Sequence, residues 1–259
     1  MRSAAPVLQT DDSLGVEALE PLVPGLAAAV PRRPRQLSFT DYRMRTGRGG
    51  PRPGAGRPRG LRPRVLHRER EPIPGHCPVH VTLRVRPSVP SLRGVGFVSE
   101  FRRSLAQASE RGSFRVIHYS LQHDHVHLIL EAKGKQALAS GMKSIAARLA
   151  RAVNRVCRRG GAVLDGRYHH RLLRTPREVR NALAYVLLNA RKHWKERHGA
   201  PPPVRLDEAS SARWFDGWKR RIAAPLVRDP PEVAVAHTWL LAIGWRRHGL
   251  VDPGELPGL

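Results

Sequence analysis

Residues 114–131 are the part of the sequence that most constrains the fold. Two apolar runs, Phe114 to Leu121 and His125 to Glu131, are each long enough for one strand, and only the polar break Gln122-His123-Asp124 separates them. A connection this short joins two strands as an antiparallel hairpin. The chain should therefore build a sheet around this hairpin.

The second strand of the hairpin carries His125 and His127 at alternate positions. Side chains alternate between the two faces of a strand, so both imidazoles point to the same side, about 7 Å apart. Such a pair can bind one divalent metal if another element supplies a further ligand, and His80 or His123 is the candidate for it. The alternative is a hydrogen-bonded or solvated histidine pair without a metal.

The segments around the hairpin alternate between strand and helix patterns. Alternation at residues 79–86 predicts a strand, and helical spacing from Val95 predicts a helix that continues to Arg111. Later elements are predicted at 136–159 (helix), 168–173 (strand) and from the capping-box sequence Thr175-Pro176-Arg177-Glu178 to about His198 (helix). The order βαββαβα predicts an α+β fold, a ferredoxin-like βαββαβ antiparallel sheet with long helices.

The charge of the chain indicates a polyanionic partner. It has 46 Lys+Arg against 21 Asp+Glu, a net charge of +25. The excess is mainly arginine, which makes bidentate contacts to phosphate and guanine, so nucleic acid is favoured over a membrane as the partner. No apolar run reaches the about 18 residues of a membrane span. A cytoplasmic, nucleoid-associated protein is the expectation.

Residues 1–75 offer no pattern from which a core could be built. Residues 1–43 are predicted to be disordered, and Met44 after them is an alternative start of the protein. Residues 44–75 form a tail rich in Arg, Gly and Pro that is predicted to bind DNA. Within it, Gly56-Arg57-Pro58-Arg59-Gly60 resembles an AT-hook, in which Arg57 and Arg59 would enter the minor groove; the alternative is unspecific phosphate binding.

The long helix at 136–159 combines an apolar stripe with a basic surface. The apolar stripe can cover a sheet face. The predicted DNA-binding arginines of this helix are Arg148, Arg151, Arg155 and Arg158. A solvated charged face is the alternative for these four side chains.

The last part of the chain is predicted to be an appendage to the domain at 76–200. Residues 201–259 contain short elements with several aromatic side chains, which should pack this C-terminal extension onto the domain. The expected anchors are Trp214, Phe215, Trp218, Trp239 and Trp245.

With these residues in view, the sequence resembles the HUH single-tyrosine transposases of the insertion-sequence 200 type, and among them the REP-associated branch. The landmarks are His80-Val81-Thr82, His125-Val126-His127-Leu128, Asn154, Gly166-Arg167-Tyr168, and Tyr185 followed by Asn189, over roughly residues 76–200. The resemblance implies dimerisation and recognition of single-stranded DNA hairpins or repeats. In such enzymes the histidine pair binds Mg²⁺ or Mn²⁺ and a tyrosine attacks the scissile phosphate.

By this resemblance, the position of the nucleophile is Leu149, five residues before Asn154. A leucine has no oxygen for the attack. The favoured interpretation is therefore a transposase-like DNA-binding protein without strand transfer, in which Leu149 is buried as part of the core.

Two alternatives to a DNA-binding protein without strand transfer remain. The first is an active metal-dependent single-strand DNA nuclease or transposase that uses Tyr168, Tyr185 or Tyr119. The second is an RNA-binding regulator, although the strands lack the paired exposed aromatics of an RRM.

Overall fold

A computed structural model describes residues 71–222 and 230–258 of the chain. The predictions for residues 1–70, including Arg57 and Arg59, lie outside this part. Among the described residues, none of the helices has the length and apolar character that crossing a bilayer requires.

The described residues form one antiparallel sheet with helices on both faces. The strands are β1 (Val79–Arg84), β2 (Glu110–Arg111), β3 (Phe114–Leu121), β4 (His125–Ala132) and β5 (His169–Leu172), and the helices are α1 (Val95–Ala106), α2 (Lys135–Val156), α3 (Pro176–His198) and α4 (Trp239–Ala242). Every neighbouring pair in the order β2-β3-β4-β1-β5 is antiparallel. Apart from the two-residue edge strand β2, this is the order of a ferredoxin-like βαββαβ sheet, so the predicted fold class is confirmed.

The first helix is shorter than the sequence pattern predicts. It ends at Ala106, and Glu110 then pairs with Arg115 across a tight turn at Gly112. Gly112 has φ +49°, a left-handed conformation that glycine adopts without strain. Ala108, which continues the helical spacing, is buried all the same. Its apolar character reflects core packing, and this is why the prediction of a helix to Arg111 was wrong.

Helix α3 begins and ends where the sequence predicts. The Thr175 hydroxyl accepts a hydrogen bond from the Glu178 amide at 3.2 Å, and the Glu178 carboxylate accepts one from the Thr175 amide at 3.1 Å. Pro176 occupies the first helical position, and Gly199 ends the helix at φ +73°. This reciprocal cap satisfies amides that a helix start otherwise leaves without partners.

The two faces of the sheet pack against different helices. Val126, Leu128 and Leu130 of β4 belong to a core cluster with α1 and α2. Ile129 belongs to a second cluster with α3 and the C-terminal extension. Because side chains alternate along a strand, His125 and His127 share the face of Ile129, which is the α3 face.

Helix α2 lies close against the other face. Leu149 is fully buried in the first core cluster, as the sequence predicts. A Cβ on Gly141 would stand 2.2 Å from the Phe114 ring, so glycine lets the helix approach β3 there.

The C-terminal extension completes the second core. Phe215 and Trp245 pack with ring centroids 5.4 Å apart among the apolar residues of α3. The buried Glu131 carboxylate accepts hydrogen bonds from the backbone amides of His237 and Thr238, which ties the start of α4 to the sheet. Trp239 is 47% exposed, so its predicted role as a buried anchor was wrong. It lies in the first turn of α4 on the solvent side, with the Arg247 guanidinium 4.8 Å from its ring.

Candidate active site

The residues that sequence reasoning singled out converge on the α3 face, from β1, β4 and α3. In the pairing of β1 with β4, Thr82 lies opposite His127 and His80 opposite Ile129. Directly opposed residues of an antiparallel pair share a face, so His80 and Thr82 lie beside the histidine pair. The ring centroids of His80 and His127 are 5.2 Å apart, and those of His125 and His127 are 4.7 Å apart.

Hydrogen bonds at Nδ1 fix the two rings of the pair. His125 Nδ1 donates to the Asp124 carboxylate at 2.7 Å, because a carboxylate can only accept. His127 Nδ1 lies 3.1 Å from His80 Nε2 and 3.2 Å from Thr82 Oγ1. We assign the proton of His127 to Nδ1, donated to one of these two acceptors. This assignment leaves the Nε2 lone pair of both rings free.

The surroundings of His127 and His80 keep both of these imidazoles neutral. Burial, and then the neighbouring basic groups with the His80 imidazole first, lowers the pKa of His127 to about 2. Burial, and then Arg171, lowers the pKa of His80 to about 4. His127 Nε2 is buried and has no hydrogen-bond partner among the described residues. A neutral, desolvated ring nitrogen of this kind is suited to ligate a metal.

Asn189 on α3 is the second group without a partner. It is fully buried, and neither its amide nitrogen nor its amide oxygen has a hydrogen-bond partner in the described part of the chain. It lies one turn after Tyr185 and one turn before His193, whose ring is 6.2 Å from that of His125. Residues four apart share a helix face, so Asn189 points to the histidine pair. A buried unpartnered amide costs about 1–3 kcal/mol, and a ligand at this site would offset it.

The side chains at this site supply enough ligands for a divalent cation only if the amide oxygen of Asn189 is one of them. Within residues 71–222 and 230–258, no group of three His, Cys, Asp or Glu side chains is arranged to bind a metal. Two neutral imidazoles and the Asn189 oxygen supply three donors, which leaves positions for water and a phosphate oxygen, as Mg²⁺ and Mn²⁺ favour. His80 is not one of these ligands, because its Nε2 is placed to accept a hydrogen bond from His127 Nδ1. The exposed His123 lies in the β3–β4 turn and lines a separate groove with Arg93.

Tyr185 is the tyrosine that faces the histidines. Its ring centroid is 5.1 Å from that of His127 and 5.9 Å from that of His80. The side chain is partly exposed. Burial, and then Glu196, raises the pKa of this phenol, so it carries its proton at neutral pH. Lys192, whose side chain is 13% exposed, holds its Nζ 5.5 Å from the Tyr185 ring centroid.

The other two tyrosine candidates lie elsewhere. Tyr168 packs against the core cluster of α1 and α2, on the opposite side of the sheet from His127. Tyr119 is fully buried, and its hydroxyl donates to Glu232 at 2.7 Å. Burial, and then Glu232, raises the pKa of Tyr119 further above its ordinary value. Its role is to hold the extension to the sheet.

Leu149 also lies on the side of the sheet away from the histidines. No side chain at position 149 of α2 could reach a phosphate held by His125 and His127 through the sheet. The alignment of Leu149 with the nucleophile therefore has no support in this geometry, and the leucine gives no reason to infer a loss of cleavage.

The arginines predicted to bind DNA from the helix at 136–159 are on this distant side as well, although the helix ends at Val156 and Arg158 follows it with φ +47°. Arg155 forms an ion pair with Glu100, and Arg148 donates to the Ser104 carbonyl at 3.3 Å. Arg151 and Arg158 are exposed. A basic surface on this side would contact DNA at a distance from the histidine pair.

Sequence reasoning named Tyr185 and Asn189 as landmarks of one helix and gave Asn189 no role. It did not single out Lys192 or His193. The spacing Tyr185, Asn189, His193 at every fourth residue of a predicted helix is the signal that could have joined them.

Comparison with known proteins gives the family of this domain. A family model described as "Transposase IS200 like" matches residues 75–168, which include β1, the hairpin and α2. No curated protein matches the sequence. A solved structure described as "Structure of the REP associates tyrosine transposase bound to a REP hairpin" is 17% identical, with a TM-score of 0.41 over 50% of this chain and 74% of that chain. That structural likeness is too weak to support an argument. The family match, together with the histidine pair on β4, shows that the chain carries, over residues 75–168, a domain of the IS200-like transposase family.

Proposed function

We propose that this protein is a metal-dependent single-strand DNA transposase or nuclease that recognises hairpin or repeat DNA and cleaves with Tyr185. The observation that carries the proposal is the position of Tyr185 beside His127 and His80, on the same face of the sheet. Two further features support it, namely the unpartnered Asn189 amide between these groups and the net charge of +25.

Each residue of the site has a definite task in this proposal. His125, His127 and Asn189 would hold Mg²⁺ or Mn²⁺, and the ion would supply charge stabilisation to the scissile phosphate. Asp124, His80 and Thr82 orient the two imidazoles through their Nδ1 atoms.

The reaction itself is a transesterification at phosphorus. The Tyr185 oxygen forms a bond to phosphorus, and the bond from phosphorus to the 3′ oxygen of the preceding nucleotide breaks. The phenol loses one proton, and the leaving 3′ oxygen gains one, so no other reactant is consumed. The product is a 5′ phosphotyrosine and a free 3′ hydroxyl. Lys192 lies where it can attract the phosphate to the tyrosine.

A DNA-binding protein without cleavage is the second candidate function. A separate basic surface supports it, since the exposed Arg151 and Arg158 can contact phosphates away from the histidines. A binding-only protein would need that surface and would not need Tyr185.

The test is a covalent-adduct assay on the full-length protein. Labelled single-stranded oligonucleotides that form one hairpin with flanks are incubated with Mn²⁺ and resolved on a denaturing gel. We expect an adduct and a nick with the natural protein and neither with Tyr185→Phe, while Tyr168→Phe serves as the matched control and retains both. Binding without an adduct in the natural protein would favour the second candidate function. An adduct that survives Tyr185→Phe would show that another residue is the nucleophile.

A matched RNA hairpin as competitor tests the nucleic acid. We expect the DNA hairpin to remain bound in the presence of the RNA. Preferential displacement by RNA would favour the RNA-binding alternative.

A further inference from the structure

The sheet surface beside the histidine pair continues over β1 and β5. Strands β3 and β4 meet α3 through Ile117 and Ile129 of the second core cluster. On the same face, β1 presents polar side chains, and β5 presents exposed basic ones opposite them. This part of the sheet is thus a polar surface that a charged substrate can contact. Its side chains are those of His80, Thr82 and Arg84 on β1 and of His169 and Arg171 on β5.

Arg84 is the cation of this surface that β1 places beside His125. It lies directly opposite His125 in the pairing of β1 with β4, so its side chain shares the face of the histidine pair. A hydrogen bond from His125 is the main cause that lowers the pKa of Asp124, and the charge of Arg84 adds to it. Arg84 therefore acts on the carboxylate that orients His125. Because its side chain is exposed, the guanidinium can also reach a phosphate at the site.

Backbone hydrogen bonds on both sides fix the position of Arg84. The Asp165 amide donates to the Arg84 carbonyl at 2.9 Å, and the Val85 amide donates to the Asp124 carbonyl at 2.8 Å. A side chain carried by a strand is placed more precisely than one carried by a loop. The location of Arg84 next to the histidines is therefore set by the sheet itself.

The course of α3 gives the substrate a direction across the site. The Tyr185 ring is 5.1 Å from that of His127, and the ring of His193, about 12 Å further along the helix, is 6.2 Å from that of His125. In a phosphoryl transfer the attacking and the leaving oxygen lie roughly in line, on opposite sides of phosphorus. The attack by Tyr185 comes from the His127 end of the site. The leaving 3′ oxygen then points to the His125 end, where Arg84 lies.

We propose that Arg84 binds the phosphate one nucleotide upstream of the cleaved bond and so retains the strand that ends in the 3′ hydroxyl. This inference rests on the proposed cleavage by Tyr185. The phosphotyrosine bond holds the downstream strand, but the upstream strand loses its covalent link when the bond from phosphorus to the 3′ oxygen breaks. A planar guanidinium can hold the phosphate of that strand through two parallel hydrogen bonds.

Retention of the upstream strand makes the cleavage reversible. The retained 3′ hydroxyl can attack the phosphorus of the phosphotyrosine, so that the bond from phosphorus to the Tyr185 oxygen breaks. The proton of the hydroxyl passes to the phenol oxygen, and no other reactant is consumed. A protein that loses the upstream strand would stop at the covalent adduct.

The first test asks whether Arg84 and the upstream phosphate are partners. The cleaved bond is mapped with the natural protein. Hairpin oligonucleotides are then made with one uncharged methylphosphonate, placed one nucleotide upstream or one nucleotide downstream of that bond. Affinity for full-length Tyr185→Phe protein, which leaves the DNA uncut, is read by fluorescence anisotropy. We expect the upstream replacement to weaken binding about tenfold, which corresponds to about 1.4 kcal/mol.

The variants of Arg84 assign that effect to the side chain. In Tyr185→Phe/Arg84→Gln, the upstream replacement should have no further effect, while the downstream replacement should weaken the binding of both proteins equally. Arg84→Lys should keep part of the upstream effect, since it retains the charge and loses the bidentate geometry. Arg247→Gln is the matched control and should keep the full effect, because Arg247 is an exposed arginine of the C-terminal extension that lies over the Trp239 ring.

The second test follows the strand with the free 3′ hydroxyl. After cleavage, the natural protein should retain a labelled upstream strand on a native gel. Arg84→Gln should release this strand, so the fraction of protein in the covalent adduct at equilibrium should rise although the first nick is no faster. Arg247→Gln should retain the strand as the natural protein does.

A failure of this inference can be told apart from a failure of the proposed function. If an adduct forms that depends on Tyr185, and the upstream replacement weakens binding equally with and without Arg84→Gln, the role of Arg84 alone is overturned. If Arg84→Gln instead removes the effect of the downstream replacement, Arg84 holds the other strand and the inferred direction is wrong. If no hairpin gives an adduct or a nick, the proposed function and this inference are refuted together.

Discussion

Tyr185 on α3 and His127 on β4 meet edge to face, with ring centroids 5.1 Å apart and planes at 79°. The contact brings a partly exposed phenol next to a buried ring nitrogen that has no partner in the described structure. Tyr185 and His127 lie far apart in the sequence. This juxtaposition is the geometric basis of the proposal that Tyr185 attacks a phosphate bound at the histidines.

The unpartnered amide of Asn189 predicts opposite effects on stability and on metal binding. Asn189→Leu replaces it by an apolar side chain of similar size, so we expect the free energy of unfolding without metal to be unchanged or higher, by about 1–3 kcal/mol at most. The affinity for Mn²⁺, measured by calorimetry, should fall. Asn181→Leu is the control, because Asn181 is exposed on the same helix. A loss of stability in Asn189→Leu with unchanged Mn²⁺ binding would assign the amide to the core.

The support of His127 by His80 predicts a graded metal phenotype. His125→Ala/His127→Ala should abolish the calorimetric heat of Mn²⁺ binding. His80→Ala, which removes one of the two candidate acceptors for His127 Nδ1 and leaves Thr82, should weaken the affinity for Mn²⁺ by about 10–100-fold. His123→Ala should leave the heat unchanged, because His123 is exposed in the turn. Equal heats for the natural protein and the double variant would remove the metal site from the proposal.

Because Leu149 is buried, substitutions at this position should lower the free energy of unfolding without increasing cleavage. Leu149→Ala should lower the free energy of unfolding by about 2–5 kcal/mol through lost transfer energy and a cavity. Leu149→Tyr should also destabilise the protein, since the phenol would lie in an apolar core, and it should not increase adduct formation. Val156→Ala is the control, since Val156 is 40% exposed on the same helix. Urea denaturation and the adduct gel together decide the matter, and a stable Leu149→Tyr protein with more adduct would contradict it.

The buried His118 predicts a dependence of stability on pH. Burial lowers its pKa to about 4, with Asp216 opposing the shift, while an unfolded chain has a histidine pKa of about 6.5. Between these values the unfolded state binds a proton that the folded state does not, so stability should fall as pH is lowered from about 6.5 to about 4.

His118→Phe tests that prediction, because the ring that packs against Phe215 is kept and the titrating group is lost. The proton uptake on unfolding, obtained from the pH dependence of denaturant midpoints, should be smaller by about one. His169→Phe on the exposed edge strand is the control. Identical pH profiles for His118→Phe and the natural protein would mean that other groups carry the effect.

The tail at 44–75 predicts a salt effect that is separable from recognition. If it neutralises about six phosphates, the slope of log affinity against log salt is near −4, at about −0.7 per contact for single strands. A protein that starts at residue 71 should show a flatter slope and keep its preference for a hairpin over an unstructured strand. If deleting the tail also removed that preference, the tail and not the domain would be the part that recognises the DNA.

Sequence patterns that span only a few residues were enough to predict several elements of this protein. The polar break at Gln122-His123-Asp124 and the alternation around it were enough to predict the hairpin, and the cap at Thr175 and Glu178 was enough to predict the start of α3. Both depend on residues within a few positions of each other, so the sequence contains the whole physical cause. The common face of His125 and His127 follows in the same way from the alternation of a strand.

The tertiary structure decided which helix meets that face. The apolar stripes of α2 and α3 are both suited to cover a sheet, and periodicity does not say which side of the sheet a helix will occupy. The path of the chain through β5 takes α3 to the face of His127 and leaves α2 on the other. For this reason Leu149 is a core residue of the opposite side, and Tyr185 and Asn189 stand at the histidines.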